Sequence, residues 1–406
     1  MDDYITEKYH NVLINLIYLG LFTFIGGVLY LKDGGDMPRI FYLFILLPSL
    51  LLFPGIIKEF RFNDKYFILF VLFPIYLCLS FLWAADENVK KDFLFHLRNL
   101  FCVFSYVISL WFVMRRKSGF IRTLLLFLFF AGYLTSIISL IHYISVYGFT
   151  INKVLEGYFI HNSNKIGSMY SIHVCLSVFL MFYPHKFIER KIMFILLISA
   201  LVLSCMVIYL SQAVVPWFII AIFTVLITIR RMNWSNILIL SFFISPVIFC
   251  LHYFGVFDSL IEMNRVQVRI QLVHQAIAQM EEKFLFGIGL VYKLPLFDYL
   301  HNRVRLHPHP HNIFVDCFRF GGAIVLILIL VQCLLLVKIG IKLLRNNAEI
   351  GFVLFWFVTG IVVLSFYGQQ PLVRPGGYLW FFYWTPGVLL LVKWTVDRGN
   401  LQREDS

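Results

Sequence analysis

Between residues 12 and 395 the sequence keeps returning to apolar runs of roughly 17–25 residues, the length at which an α-helix crosses the hydrocarbon core of a bilayer. Twelve can be marked, centred on 12–31, 40–57, 66–83, 93–114, 123–147, 166–183, 192–210, 213–229, 237–255, 313–337, 350–367 and 379–395. A backbone in lipid must satisfy its own hydrogen bonds, so each run is expected to be helical. With 60% hydrophobic and 14% charged residues, the chain lies far from the composition of a soluble domain. The expected fold class is all-α, a polytopic transmembrane helical bundle of about twelve spans that forms a single integral membrane domain over residues 1–406. The opening MDDYITEKYH carries both signs of charge, and no small-residue cleavage site follows, so the first run reads as a retained helix.

Lys and Arg in short loops set orientation. KEFRFNDK (58–65), RRKSGFIR (115–122), HKFIERK (185–191), RRMNWSN (230–236) and GIKLLRNN (340–347) fall on one side, assigned as cytoplasmic together with both termini. The opposite loops, 32–39, 84–92, 148–165 and 368–378, are poorer in cations. The formal charge of +12 is thus largely a topology signal and not a nucleic-acid footprint. Cys78, Cys102, Cys175, Cys205, Cys250, Cys317 and Cys333 lie in or at the ends of spans without paired spacing, as small apolar residues do. There is no G-x-x-x-x-G-K-[ST] loop and no polar segment long enough for a nucleotide-binding domain. Any reaction must use a donor already activated in or on the membrane.

One connection is long, from about Gly255 to Asn312, with the loop proper at 256–312 on the outer face. It carries Arg265, Arg269, Lys283, Lys293, Arg303 and Arg305 against the positive-inside trend, which points to an anionic ligand; anionic headgroups or the acids Asp258, Glu262, Glu281, Glu282 and Asp298 are the plainer partners. Within it, Val266, Ile270, Val273, Ile277 and Met280 recur at spacings of three and four and predict an amphipathic helix. Arg265 and Arg269 stand one turn apart on that helix, where two guanidinium forks can grip adjacent phosphates or simply snorkel.

The loop closes with HPHPHN. Each residue before a proline avoids helical geometry, so His307 and His309 should be extended, while Pro310 suits the first turn of the following span. His311 and Asn312 then sit at a helix N-terminus, whose partial positive charge keeps a histidine neutral and able to take a proton. A zinc site would need further convergent ligands, and no H-E-x-x-H motif or nearby Cys completes a set. Elsewhere Asp92, His96 and Asn99 share one face of the fourth span with Arg98 beside it, and His161, Asn162 and Asn164 precede or open the sixth; each could line a cavity or anchor an interface.

This order of elements resembles the O-antigen ligase family. The resemblance rests on Arg269, then Ala276, the Gly-Ile-Gly at 287–289, and His309-Pro310-His311-Asn312 followed by Gly321 and Gly322, with Asn164 at the start of the sixth span. The specific motifs cover about 264–322. Three positions depart from it: Gln212 in YLSQAVVPW stands where that family has an Arg, Val273 where it has a Trp, and Phe284 where it has a Pro. The resemblance implies a metal-independent, inverting glycosyltransferase of the membrane-embedded C type that needs no cofactor. Its partners would be an undecaprenyl-diphosphate-linked glycan as donor and lipid A-core as acceptor, at the periplasmic face of a bacterial inner membrane. It also implies His311 as general base, Arg269 and Arg265 as ligands of the donor diphosphate, and His309, Asn312 and Asn164 in support. An O-antigen polymerase and a protein O-oligosaccharyltransferase share the same donor. A lipid or solute transporter shares the span count, but it predicts internal repeats and midplane polar groups.

Overall fold

The computed structural model describes residues 2–31, 36–60, 64–84, 89–150, 154–155, 163–183, 190–213, 215–230, 263–290, 296–298, 305–344 and 347–404. Among them, ten helices are long and apolar enough to cross a membrane, so the protein is an all-α, multi-pass bundle. The helices are α1 (Asp2–Tyr30), α2 (Met37–Ile40) running through a π-helical turn (Phe41–Leu46) into α3 (Leu47–Glu59), α4 (Lys65–Leu79), α5 (Val89–Arg116), α6 (Phe120–Tyr147), α7 (Ser163–Phe182) and α8 (Arg190–Leu210). They continue with the shorter α9 (Val215–Arg230), α10 (Met263–Ala278), α11 (Ile313–Leu344), α12 (Ala348–Tyr367), and α13 (Gly377–Leu379), which passes through a second π-helical turn (Trp380–Trp384) into α14 (Thr385–Glu404). The apolar run expected at 237–255 lies outside the described residues, as do His161 and Asn162.

Local chemistry marks the helix ends. Asp64 caps α4 by accepting the Tyr66 amide at 2.8 Å, and Asn347 caps α12 through the Glu349 amide at 2.9 Å. Gly119 and Gly148, with φ of +78° and +68°, turn the chain on either side of α6. Large apolar side chains such as Leu19, Leu43, Ile195 and Leu334 face outward, as a lipid-facing surface requires.

The chain forms two compact units. The first comprises residues 1–25, 36–121 and 264–406. Its interior is aromatic: Phe24, Phe41, Tyr106 and Trp380 meet ring to ring, and Trp356, Trp384 and Tyr383 are fully buried. One buried amide there is paired on both sides: Gln332 donates to the Phe70 carbonyl at 3.1 Å and accepts from the Tyr383 hydroxyl at 2.7 Å. The second unit, residues 26–35 and 122–263, packs α7 against α8 and α9. A polar seam ties it: His173 bonds Ser204 Oγ at 2.7 Å and the Phe129 carbonyl at 2.8 Å, and Ser136 reaches Ser204 at 2.9 Å.

Candidate active site at the mouth of a broken helix

Construction begins on α10. The predicted apolar stripe is split: Ile270 and Ile277 are 51% and 47% exposed and Val273 is half-buried, while Met280, just past the helix, is buried; the face the helix buries is that of Leu272 and Ala276, with Val268 packed beside them. The helix is apolar on two sides, and the spacing of three and four picks out the outward one. That face is suited to lipid, whereas the inner face covers Leu296 and Val315.

Leu296 opens the strand β1 (Leu296–Asp298), which pairs antiparallel with β2 (Arg305–His307) in the register Leu296↔His307, Phe297↔Leu306 and Asp298↔Arg305. The outward backbone groups of Phe297 are taken by one side chain. Gln275 of α10 donates to its carbonyl and accepts from its amide, both at 2.8 Å. His307 is therefore held by a strand that is itself pinned to the arginine helix, and it is extended as the preceding-proline rule requires.

After His307 the chain stays non-helical through Pro310, and the helix starts at Ile313, later than the first-turn place expected for Pro310. Asn312 sets that start. Its Oδ1 accepts the Phe314 and Val315 amides at 2.9 and 3.1 Å, and its carbonyl accepts the Asp316 amide at 2.9 Å. His311, one residue earlier, has φ of +57°, in the left-handed region uncommon outside glycine. The reversal turns its ring back over the hairpin, so that Nε2 lies 3.4 Å from His307 Nδ1 and the ring meets His309 edge-on at 4.5 Å between centroids. Burial first, and then charge on His307 and Arg269, lower the pKa of His311 to about 4. Burial leads, where the sequence alone points to the helix N-terminus; the expected neutral imidazole results either way.

Arg269 is half-buried, with its guanidinium over the rings of Tyr367 at 5.2 Å and Phe366 at 5.6 Å at the end of α12. Arg265 lies one turn before it on α10, with its side chain outside the described residues. Asn164 falls at the start of α7 in the second unit, and its side chain is likewise outside them. Gln212 is exposed in the turn after α8, with φ of +52°. His96 and Asn99 are buried and reach the Leu372 carbonyl, at 3.3 and 3.5 Å, anchoring the segment before α13.

Beneath the histidines, α11 carries two ionisable residues not singled out from sequence. Arg319 is fully buried, donating from Nε to Gln279 Oε1 at 2.9 Å and from Nη1 to the Pro308 carbonyl at 3.2 Å, with Asp316 Oδ1 3.9 Å away. Asp316 Oδ2 accepts the Gln370 amide at 2.8 Å. The pair ties the histidine loop, the end of α10 and the segment after α12 to a single helical turn. An Asp and an Arg three residues apart inside an apolar run is the signal that would have found them.

The Gly-Ile-Gly segment explains the paired glycines of α11. At Gly322 (φ +67°, ψ −164°) the helix breaks, releasing the carbonyls of Arg319 and Phe320 and the amides of Ala323 and Ile324. The loop takes all four: Ile288 and Gly289 amides donate to Arg319 and Phe320, at 3.0 and 2.9 Å, while Phe284 and Leu285 carbonyls accept from Ala323 and Ile324, at 2.8 and 3.5 Å. A side chain at Gly287 would strike the Phe320 backbone, and one at Gly322 the Leu285 backbone. Beside this junction an apolar groove of about 330 Å³ is lined by Ile277, Met280, Phe284, Phe314, Val315 and Phe318, with Glu281 at its edge. Its Phe314 and Val315 belong to the turn capped by Asn312.

Among the described residues, no group of three or more His, Cys, Asp or Glu side chains is placed to hold a metal ion. No protein-family model matches the chain, and no curated protein matches it.

Proposed function

We propose that the protein is an O-antigen ligase: a membrane glycosyltransferase that moves a glycan from an undecaprenyl-diphosphate carrier onto a sugar hydroxyl of lipid A-core, at the periplasmic face of a bacterial inner membrane. The observation that carries this reading is a neutral, half-buried His311 within electrostatic reach of Arg269, at a helix mouth bordered by an apolar groove. A base, a diphosphate ligand and a surface for an isoprenoid chain are the three things such a transfer needs from the protein. His311 takes the proton from the acceptor hydroxyl as its oxygen attacks the anomeric carbon. Arg269, helped by Arg265, binds the diphosphate, which leaves with the electrons of the breaking C–O bond. Attack opposite the leaving group inverts the anomeric configuration. His309 shapes the pocket around the base, and Asn312 fixes the helix start on which it stands; Asn164 is assigned a supporting role by resemblance.

The test is His311→Ala in a strain whose own gene is deleted, with lipopolysaccharide resolved on a gel. The expected result is intact core without O-antigen, long lipid-linked polymer accumulating, and the variant present in the membrane at normal amount. Undiminished ligation would overturn the assignment of the base. If the deletion itself leaves core bearing a single repeat, the protein is a polymerase; an unchanged ladder rejects both.

A further inference from the structure

Two nitrogens of His311 have different surroundings, and the difference decides which one can act. Nε2 faces His307 Nδ1 at 3.4 Å. Nδ1 bonds to no protein group and is not enclosed, as the buried polar atoms without partners include His307 Nε2 but not His311 Nδ1. One of the two facing nitrogens must carry the hydrogen. We infer that His307 is a positioning residue, which accepts the Nε2–H of His311 at its own Nδ1 and so fixes the tautomer that leaves His311 Nδ1 unprotonated and open to the acceptor hydroxyl.

The geometry has two independent supports. His307 does not choose its place, because β2 pairs it with Leu296 and Gln275 clamps the partner strand to α10. His311 reaches it only by adopting φ of +57°, a conformation that costs a β-carbon residue about 1 kcal/mol or more and is maintained when surrounding contacts demand it. The order of the segment acquires a reason: His307 orients, His311 reacts, and the two intervening prolines hold the four-residue reversal that brings one ring onto the other.

In the transfer step, the acceptor O–H bond breaks and its proton goes to His311 Nδ1 while the oxygen forms the new bond to the anomeric carbon and the donor's C–O bond breaks, its electron pair leaving with the diphosphate. The resulting imidazolium keeps its Nε2–H on His307, which shares the charge through that hydrogen bond, and the proton returns to water after the products leave. Nothing is oxidised or reduced. A partner that fixes tautomer and orientation is worth far more than its one hydrogen bond to the ground state, since the wrong tautomer presents a hydrogen where a lone pair is needed.

This inference rests on the ligase reading, and the experiment keeps the two apart. His311→Ala, His307→Leu and His307→Asn are compared for ligation rate and membrane abundance, and the histidine ¹⁵N resonances of the purified protein in lipid nanodiscs are recorded with and without each substitution. The expected result is loss of transfer in His311→Ala, a loss of at least tenfold in His307→Leu at normal abundance, and substantial recovery in His307→Asn, whose amide oxygen can stand where Nδ1 accepted. In the wild type, His311 should show a protonated Nε2 and a bare Nδ1, with that preference weakened in His307→Leu. An inactive His311→Ala beside a fully active His307→Leu would overturn the role of His307 and leave the ligase reading intact. A wild-type spectrum with the hydrogen of His311 on Nδ1 would overturn it without reference to any activity.

Discussion

At the scale of the residue, the site is a matter of which charges surround one imidazole. His311 is neutral down to about pH 4 because burial disfavours the cation and because that cation would be repelled by a His307 that had itself taken a proton and by Arg269. A base acts only when unprotonated, so the acid limb of the transfer rate should fall near that pH and not near the ordinary histidine value of about 6.5. Replacing Arg269 by Gln removes one of the cations that lower the pKa. The limb should therefore move to higher pH, while burial, the larger cause, still keeps it below the ordinary value. The same change should slow transfer by about 10²-fold at neutral pH through loss of a charge on the leaving diphosphate. Rate measured between pH 4 and 7 with a purified lipid-linked donor checks both; an unmoved limb would mean that Arg269 does not act on His311. The position of Arg269 on a helix and of His311 at the mouth of the next one is legible from sequence, because polar residues stand out in an apolar chain and their spacing places them there. What reaches His311 from the side is not legible. β2 is three residues long, too short to show a period of two, and nothing in the run of letters says that His307 turns toward His311 and not toward His309.

At the scale of the element, the deciding feature is the break in α11. Gly321 and Gly322 in a long apolar run read as an ordinary helix interior, where glycine merely costs stability. Their purpose depends on a segment some 30 residues earlier, Phe284 to Gly289, whose amides and carbonyls substitute for the helix's own. Such an exchange is tertiary and leaves only the glycines as its trace. Gly322→Ala should therefore destabilise the protein, by about 1–2 kcal/mol from the left-handed backbone alone and further from collision with the Leu285 carbonyl. Gly340 makes a fair control: it lies on the same helix with ordinary backbone, and a β-carbon there meets the flexible end of Leu354. Thermal unfolding of the detergent-solubilised protein, followed by tryptophan fluorescence, should show a clear drop in midpoint for Gly322→Ala and a smaller one for Gly340→Ala. Equal effects would mean that the break is incidental. The face of α10 teaches the complementary lesson: a helix that is apolar on two sides satisfies a periodicity test on either, and only the position of Leu296 and Val315 decides which side is inner.

At the scale of the whole molecule, the argument turns on which side of the bilayer the histidines occupy. A lipid-linked polysaccharide and its acceptor can meet only where both are displayed, so the ligase reading requires the HPHPHN mouth to face away from the cytoplasm. The helices give this a physical basis at the opposite ends. Arg115 and Arg116 at the end of α5 grip Glu59 at 2.7 and 3.2 Å, and Arg115 also covers Trp111, at the end that the positive-inside rule expects to face the cytoplasm. Helix α6 then carries the chain from the exposed turn at Lys117–Gly119 to the region of Gly148, where Phe149 is 94% exposed. A helix of 28 residues is about 42 Å long and spans a core of roughly 30 Å, so these two turns must open on opposite faces. Single cysteines at Ser118 and Phe149, placed in a background with the seven native cysteines replaced, give the test. A membrane-impermeant maleimide should label Phe149→Cys in intact spheroplasts and Ser118→Cys only after the membrane is opened. The reverse pattern would put Phe149 with the cytoplasm. The positive-inside orientation, and with it a periplasmic base at His311, would then fall together.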